Sequence, residues 1–210
     1  MIPPPFPTPS FALVLSLDDG RAVVARPVAP ADRERLRTGF DQLSTRSRQL
    51  RFFAPVAQLS EAELRYLTDV DQVHHAAWGL LDPDDATPGI GIGRFVRLPD
   101  KPDAAEFSLT VADAWQGTGA GRLLLALLLA HARRVDVRML CGLVERDNDR
   151  VLRWMQRLGA SSRASADGLV FRLPTDPDEQ LAGSASMADA LQAVESAWAM
   201  AEAQSSQNEA

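Results

Sequence analysis

The stretch that decides the fold is Gln116-Gly117-Thr118-Gly119-Ala120-Gly121-Arg122, followed at once by the apolar run Leu123 to Ala130. The dense Leu and Ala pattern predicts a buried helix from about Gly119 to Arg134, and the run Ala105 to Val111 before it predicts a strand. The glycines therefore stand at a strand-to-helix junction. At such a junction the unpaired N–H groups of the first helical turn converge and the helix dipole favours an anion. Glycine lets the backbone approach that anion closely and adopt positive φ. A phosphate or pyrophosphate is the expected guest. Two other phosphate-binding patterns fail on spacing. A dinucleotide-binding Gly-x-Gly-x-x-Gly counted from Gly117 and Gly119 would put its third glycine at Arg122, and a P-loop would need Lys then Ser or Thr where Gly121-Arg122-Leu123 stands.

Working outward, Phe11 to Leu17 and Arg21 to Val28 are β-rich segments around Asp18-Asp19-Gly20, which suits a hairpin turn. Helix-period apolar positions follow between Pro30 and Leu43, and a short helix is expected from Ser44 through Phe52. Ser60-Glu61-Ala62-Glu63 has the form of a capping box, so a third helix begins there and runs toward Val70. Ala76 to Leu81, Ile90 to Leu98 and Ala105 to Val111, separated by turn-rich segments, read as an antiparallel meander. After the glycine-led helix come a strand from about Val137 to Val144, a helix from Asn148 to Leu158, and short strands ending at Leu173. The expected class is α+β, with a domain over residues 11–174.

Met1 to Ser10 is proline-rich, lacks the basic and apolar regions of a signal peptide, and is expected to form a flexible arm. Residues 175–210 are expected to form a linker and an amphipathic helix, in which Met187, Leu191, Val194 and Trp198 make one stripe. Such a stripe needs cover, either from its own domain or from a second subunit.

The net charge of −6 argues against a general nucleic-acid or membrane-surface binder, which needs a basic face. An anionic ligand must then meet a local positive site. The longest apolar run is too short to cross a bilayer. One cysteine, Cys141, excludes an intrachain disulfide and fits a reducing, cytoplasmic setting; within an apolar strand it reads as a small buried hydrophobe. His74 and His75 would point to opposite faces of an extended segment, and His131 has no ligand-type partner at helical spacing, so no metal is expected.

Gln116, Gly119 and Gly121 match the hallmark of the GNAT superfamily of acyltransferases, and the resemblance covers nearly everything from Arg21 to Leu173. Within it, Arg33 through Phe53 and Leu64 through Asp71 resemble the catalytic domain of Pat-type bacterial protein lysine acetyltransferases. The resemblance implies a largely antiparallel sheet splayed at its cofactor site and flanked by helices, acetyl-CoA as cosubstrate, and a primary amine as acceptor, on a small molecule or a protein lysine. It implies pantetheine along Leu109, Thr110 and Val111, pyrophosphate over Gly117, Thr118, Gly119, Ala120, Gly121 and Arg122 beside Gln116, and Asn148 capping its helix and touching the cofactor arm. Glu106 inherits the role of general base. An amine near pKa 10.4 needs one at neutral pH, and a glutamate serves if burial or apolar neighbours lift it from about 4.3.

The departure is Met155, which stands where many members carry a tyrosine that protonates the leaving thiolate. It motivates an alternative from another class, an acyl-CoA-binding regulatory module without catalysis. Tyr66, the only tyrosine, is a candidate substitute for that acid, but its helical spacing with Leu64 and Leu67 also suits packing. Arg33, Arg35, Arg37, Arg46, Arg48 and Arg51 make either a basic rim for an acidic acceptor or the CoA 3′-phosphate, or a solvated charged face.

Overall fold

The computed structural model describes residues 11–84, 89–176 and 185–208. The arm at 1–10 and most of the linker after Pro174 lie outside the described residues. Eight strands form one sheet in the order β1-β2-β3-β4-β5-β6-β8-β7. They are β1 Leu13–Ser16, β2 Ala22–Pro27, β3 His75–Leu81, β4 Gly91–Leu98, β5 Lys101–Val111, β6 Met139–Val144, β7 Ser161–Ser165 and β8 Gly168–Pro174. All neighbours are antiparallel except β5 and β6. That parallel pair needs a crossover, supplied by helix α4, Ala120–Arg134. This is the α+β sheet that the sequence implied.

The helices divide between the two faces. α4 packs on β3, β4 and β5, and the last helix, α6 Ala185–Asn208, packs on α4 and β1. Met187, Leu191, Val194 and Trp198 of α6 are all buried in the same cluster as the leucines of α4. The other face carries α1 Arg33–Asp41, α2 Thr45–Phe52 and α3 Glu61–Thr68, with a small core of their own around Phe40, Leu43, Leu64 and Leu67. The local signals act as expected: Ser44 caps α2 by accepting from Ser47 N–H at 3.2 Å, and Ser60 and Glu63 close the capping box of α3. The β4–β5 hairpin is longer than its alternation suggested. Register shifts between Arg97 and Leu98, so that β5 starts at Lys101 and Pro102 falls within the irregular part, where no ladder N–H is required of it.

The feature that positions the site is where β5 and β6 part. They pair only through Ala104–Glu106 and Met139–Cys141. Just beyond, the Phe107 ring lies over Gly142, where a Cβ would come within 2.8 Å of it. From Phe107 onward β5 keeps β4 as its only strand neighbour, while β6 continues along β8. The sheet opens into a crease.

Candidate active site

Two clefts fill the crease. One, of about 450 Å³, holds Glu106, Ser108, Tyr66, Arg94, Gly142 and Met155 on its walls. The other, of about 480 Å³, is walled by Leu109, Thr110, Val111, Gln116, Gly117, Gly119, Gly121, Arg122 and Asn148, together with Arg150 and Arg157. Leu50, Arg51, Leu109, Asn148, Val151 and Trp154 line both, so the two are halves of one groove. The strand, the glycine loop and the α5 helix, Asp149–Arg157, thus face a common space, as the sequence residues suggested. Two of those residues do not turn a side chain to it: Ala120 is buried in the core, and the Thr118 hydroxyl donates to the Trp115 carbonyl at 2.7 Å.

At the loop, Gly117 and Gly119 have φ of +87° and +93°, which L side chains rarely adopt. The first helical hydrogen bond of α4 runs from Leu123 N–H to Gly119 carbonyl at 3.0 Å, which leaves the N–H groups ahead of it to an outside acceptor. α5 adds cations. Arg150 lies against Gly117, and Arg157 follows two turns later on the same wall. The spacing Arg150, Trp154, Arg157 carries this face in the sequence, where it was not recognised. Asn148 caps α5, accepting from Val151 N–H at 3.4 Å.

Asp18 is the other residue that sequence reasoning missed. The β1–β2 turn docks on the glycine loop, with Asp18 N–H donating to Thr118 carbonyl at 3.1 Å. Its carboxylate pairs with Arg122 and lies 2.6 Å from where a Gly119 side chain would begin. Gly119 is therefore held bare by Asp18, a contact across about a hundred residues of sequence that no local pattern announces.

Around Glu106 the structure corrects one expectation and leaves one condition unmet. Glu106 is exposed, so burial does not supply the lift its role as base asks for, and Arg51 stands near enough for their charges to interact. Tyr66 is not a packing residue: it is 58% exposed at the cleft wall, its ring 5.0 Å from that of His75, while Leu64 and Leu67 take the buried positions. Burial, then the charge of Arg94, push the His75 imidazole down to about 4 against the pull of Asp71. His75 is thus neutral at pH 7 and accepts from Arg94 Nη1 at 3.1 Å through Nε2. Cys141 is half-buried and in register with Glu106. Of the six arginines of the first helices, Arg33, Arg35, Arg37 and Arg46 pair with carboxylates and Arg48 with three carbonyls; Arg51 alone turns to the clefts. Met155 is buried beneath the groove and offers no proton.

A model of the Acetyltransferase (GNAT) domain matches residues 23–161. The chain belongs to the GNAT acetyltransferases. Over 128 residues it is 35% identical to "Acetyltransferase PA5475" of Pseudomonas aeruginosa, covering 60% of this chain and 68% of that protein. Over 135 residues it is 36% identical to "Acetyltransferase Pat" of Mycolicibacterium smegmatis, covering 64% of this chain but only 40% of that longer protein. The solved GNAT domain of S. lividans PAT superposes with a TM-score of 0.73 at 27% identity, over 80% of this chain and 99% of that one. GNAT acetyltransferases draw their acetyl group from acetyl-CoA. No helix among the described residues is long and apolar enough to cross a membrane.

Proposed function

We propose that this GNAT domain transfers acetyl from acetyl-CoA to a primary amine, on a small molecule or a protein lysine, by direct attack with Glu106 as general base. The observation that carries the reading is the single groove joining Glu106 to the glycine loop. Alternate peptide groups of Leu109, Thr110 and Val111 face the opening without a strand partner and suit the amides of pantetheine. The N–H groups of Gly117 to Arg122, with Arg122, Arg150 and Arg157, suit the phosphates. At the other end a β5 N–H donates to the oxyanion that develops as the amine nitrogen attacks the thioester carbon. Glu106 accepts the amine's proton, directly or through water, and the C–S bond breaks. The thiolate takes its proton from solvent, since a thiol near pKa 8.5 leaves without a dedicated acid.

Glu106→Gln keeps the size and removes the base, so turnover should fall about 10²- to 10⁴-fold, with the deficit shrinking as pH rises and more amine arrives deprotonated. CoA affinity by calorimetry should hold. Wild-type turnover in the mutant at neutral pH rejects Glu106 as base. CoA binding with no thiol release from any lysine peptide or small amine favours the regulatory alternative that Met155 motivates.

A further inference from the structure

Arg94 is among the few charged side chains buried in the core of this fold, at 5% exposure. It sits on the face of β4 opposite α4, in register with Ser108, and lines the Glu106 cleft on one side and a mostly apolar cavity of about 100 Å³ on the other. Its Nη1 donates to His75 and its Nη2 to the Leu67 carbonyl at 3.1 Å, so it is well oriented. Neither partner carries a negative charge. Arg51, at the end of α2, lines the same cleft and the same cavity. Among the described residues neither guanidinium has a carboxylate within salt-bridge distance, whereas Arg26, Arg33, Arg37, Arg46 and Arg122 each do.

Like charges in a half-dry wall repel, and Arg94 carries the mark of it. Burial, then the charge of Arg51, push Arg94 down to about 9, and burial lowers Arg51 against the pull of Glu106 and Tyr66. Taking an uncompensated cation out of water is costly. A counter-charge from outside the chain relieves that cost. Among the described residues Glu106 is the one carboxylate pulling on Arg51, and its proton-accepting role leaves it for the amine.

We infer that the acceptor carries a carboxylate beside its amine, held by Arg51 at the cleft surface with Arg94 behind it, while the amine faces Glu106. This rests on the reading of the groove proposed above. A planar guanidinium fork matches a carboxylate bidentately, and the apolar cavity beneath keeps water from screening the pair. A free amino acid supplies that carboxylate itself; a lysine peptide supplies it from a neighbouring Asp or Glu.

The test compares matched acceptors that differ only in that charge: α-amino acids against their amides, Nα-acetyl-lysine against its amide, and lysine peptides flanked by Asp or Glu against Asn or Gln. In the wild-type chain the acid of at least one pair should be preferred about 10- to 100-fold in kcat/KM, through KM, as expected for a charged hydrogen-bonded contact. Which pair shows it tells the source. Arg51→Met should bring the preference to near unity, and Arg51→Lys should keep part of it. Calorimetry of the same pairs on CoA-saturated wild-type protein reads the preference without turnover or a variant. Equal binding and equal kcat/KM across all pairs overturns the inference while leaving the acetyltransferase reading intact. Absent turnover with a retained binding preference does the reverse.

Discussion

The two faces of the sheet are built on opposite rules. On the α4–α6 face the buried histidine is fully matched. His131 is wholly buried among Trp78, Phe95 and Trp198, yet its Nδ1 accepts from Trp78 Nε1 and its Nε2 donates to the Gln72 carbonyl, both at 2.8 Å. On the α1–α3 face, Arg51 and Arg94 share a wall with a cavity, neither in a salt bridge among the described residues, and Glu106, Tyr66 and Ser108 open to the groove. One sheet thus separates stability from chemistry. Close packing and satisfied polar atoms hold the first face rigid. The second keeps charges and space that would be liabilities anywhere else.

Substitutions on the packed face should cost folding and spare binding. The largest effect after the loss of Glu106 is expected from Trp198→Ala, which empties the space where α6 meets Trp78 and Phe11. A loss of about 3–5 kcal/mol by denaturant unfolding is the expectation, with CoA affinity of the folded fraction unchanged. If CoA affinity fell in step with stability, the two faces would be coupled and the separation wrong.

Acid should attack the packed face next. Burial pushes His131 down to about 4, although the Gln72 carbonyl favours the charged form. The unfolded imidazole titrates near 6.5, so between these values the unfolded chain binds more protons and stability falls as pH drops. The contribution is fully present above pH 6.5 and is lost progressively toward pH 4, by as much as about 3 kcal/mol. His75 shifts in the same direction and adds to the slope. Unfolding free energies measured from pH 7.5 to 4.5 check this, and a flat profile contradicts it.

The smallest effect sharpens the working face. Asp18 holds a negative charge at the α4 N-terminus, where the phosphates are proposed to bind. Asp18→Asn should strengthen CoA binding about two- to fivefold, the 0.3–1 kcal/mol that a charge is worth at an exposed helix end. The gain should vanish at high salt. Weaker binding in the variant would mean that Asp18 serves the site by holding Arg122 and the loop.

Much of this was legible in the sequence because it is local. The hairpin at Asp18-Asp19-Gly20, the capping box at Ser60 and the glycines ahead of the Leu run each specify their own segment. The crease is different: it depends on Phe107 meeting Gly142 across two strands. The arginine wall was hidden for a similar reason. Arg51 looks like one more charge on a polar helix until α2 is laid over β5, where Asp113 accepts from Ser44 N–H at 2.8 Å and from the Ser47 hydroxyl at 2.7 Å. Burial works against the Asp113 charge, but those bonds hold its carboxyl below the usual range. Arg94 did leave a trace, one of two cations, with Arg97, in the otherwise apolar strand Ile90 to Leu98. Glu106 is exposed although Val96 and Cys141 flank it in the sheet, because it is the last paired position before β5 and β6 part.

The chain's four tryptophans all touch the larger core, two fully buried in it and two at its edge. Trp78 and Trp198 lie with ring centres 5.0 Å apart in the dry interior, against a neutral imidazole. Trp154 lines both halves of the groove, and Trp115 lies under Arg21 beside the glycine loop. The protein therefore carries two optical gauges: a buried, blue-emitting pair that should report detachment of the last helix, and Trp154, whose light should change when something enters the groove.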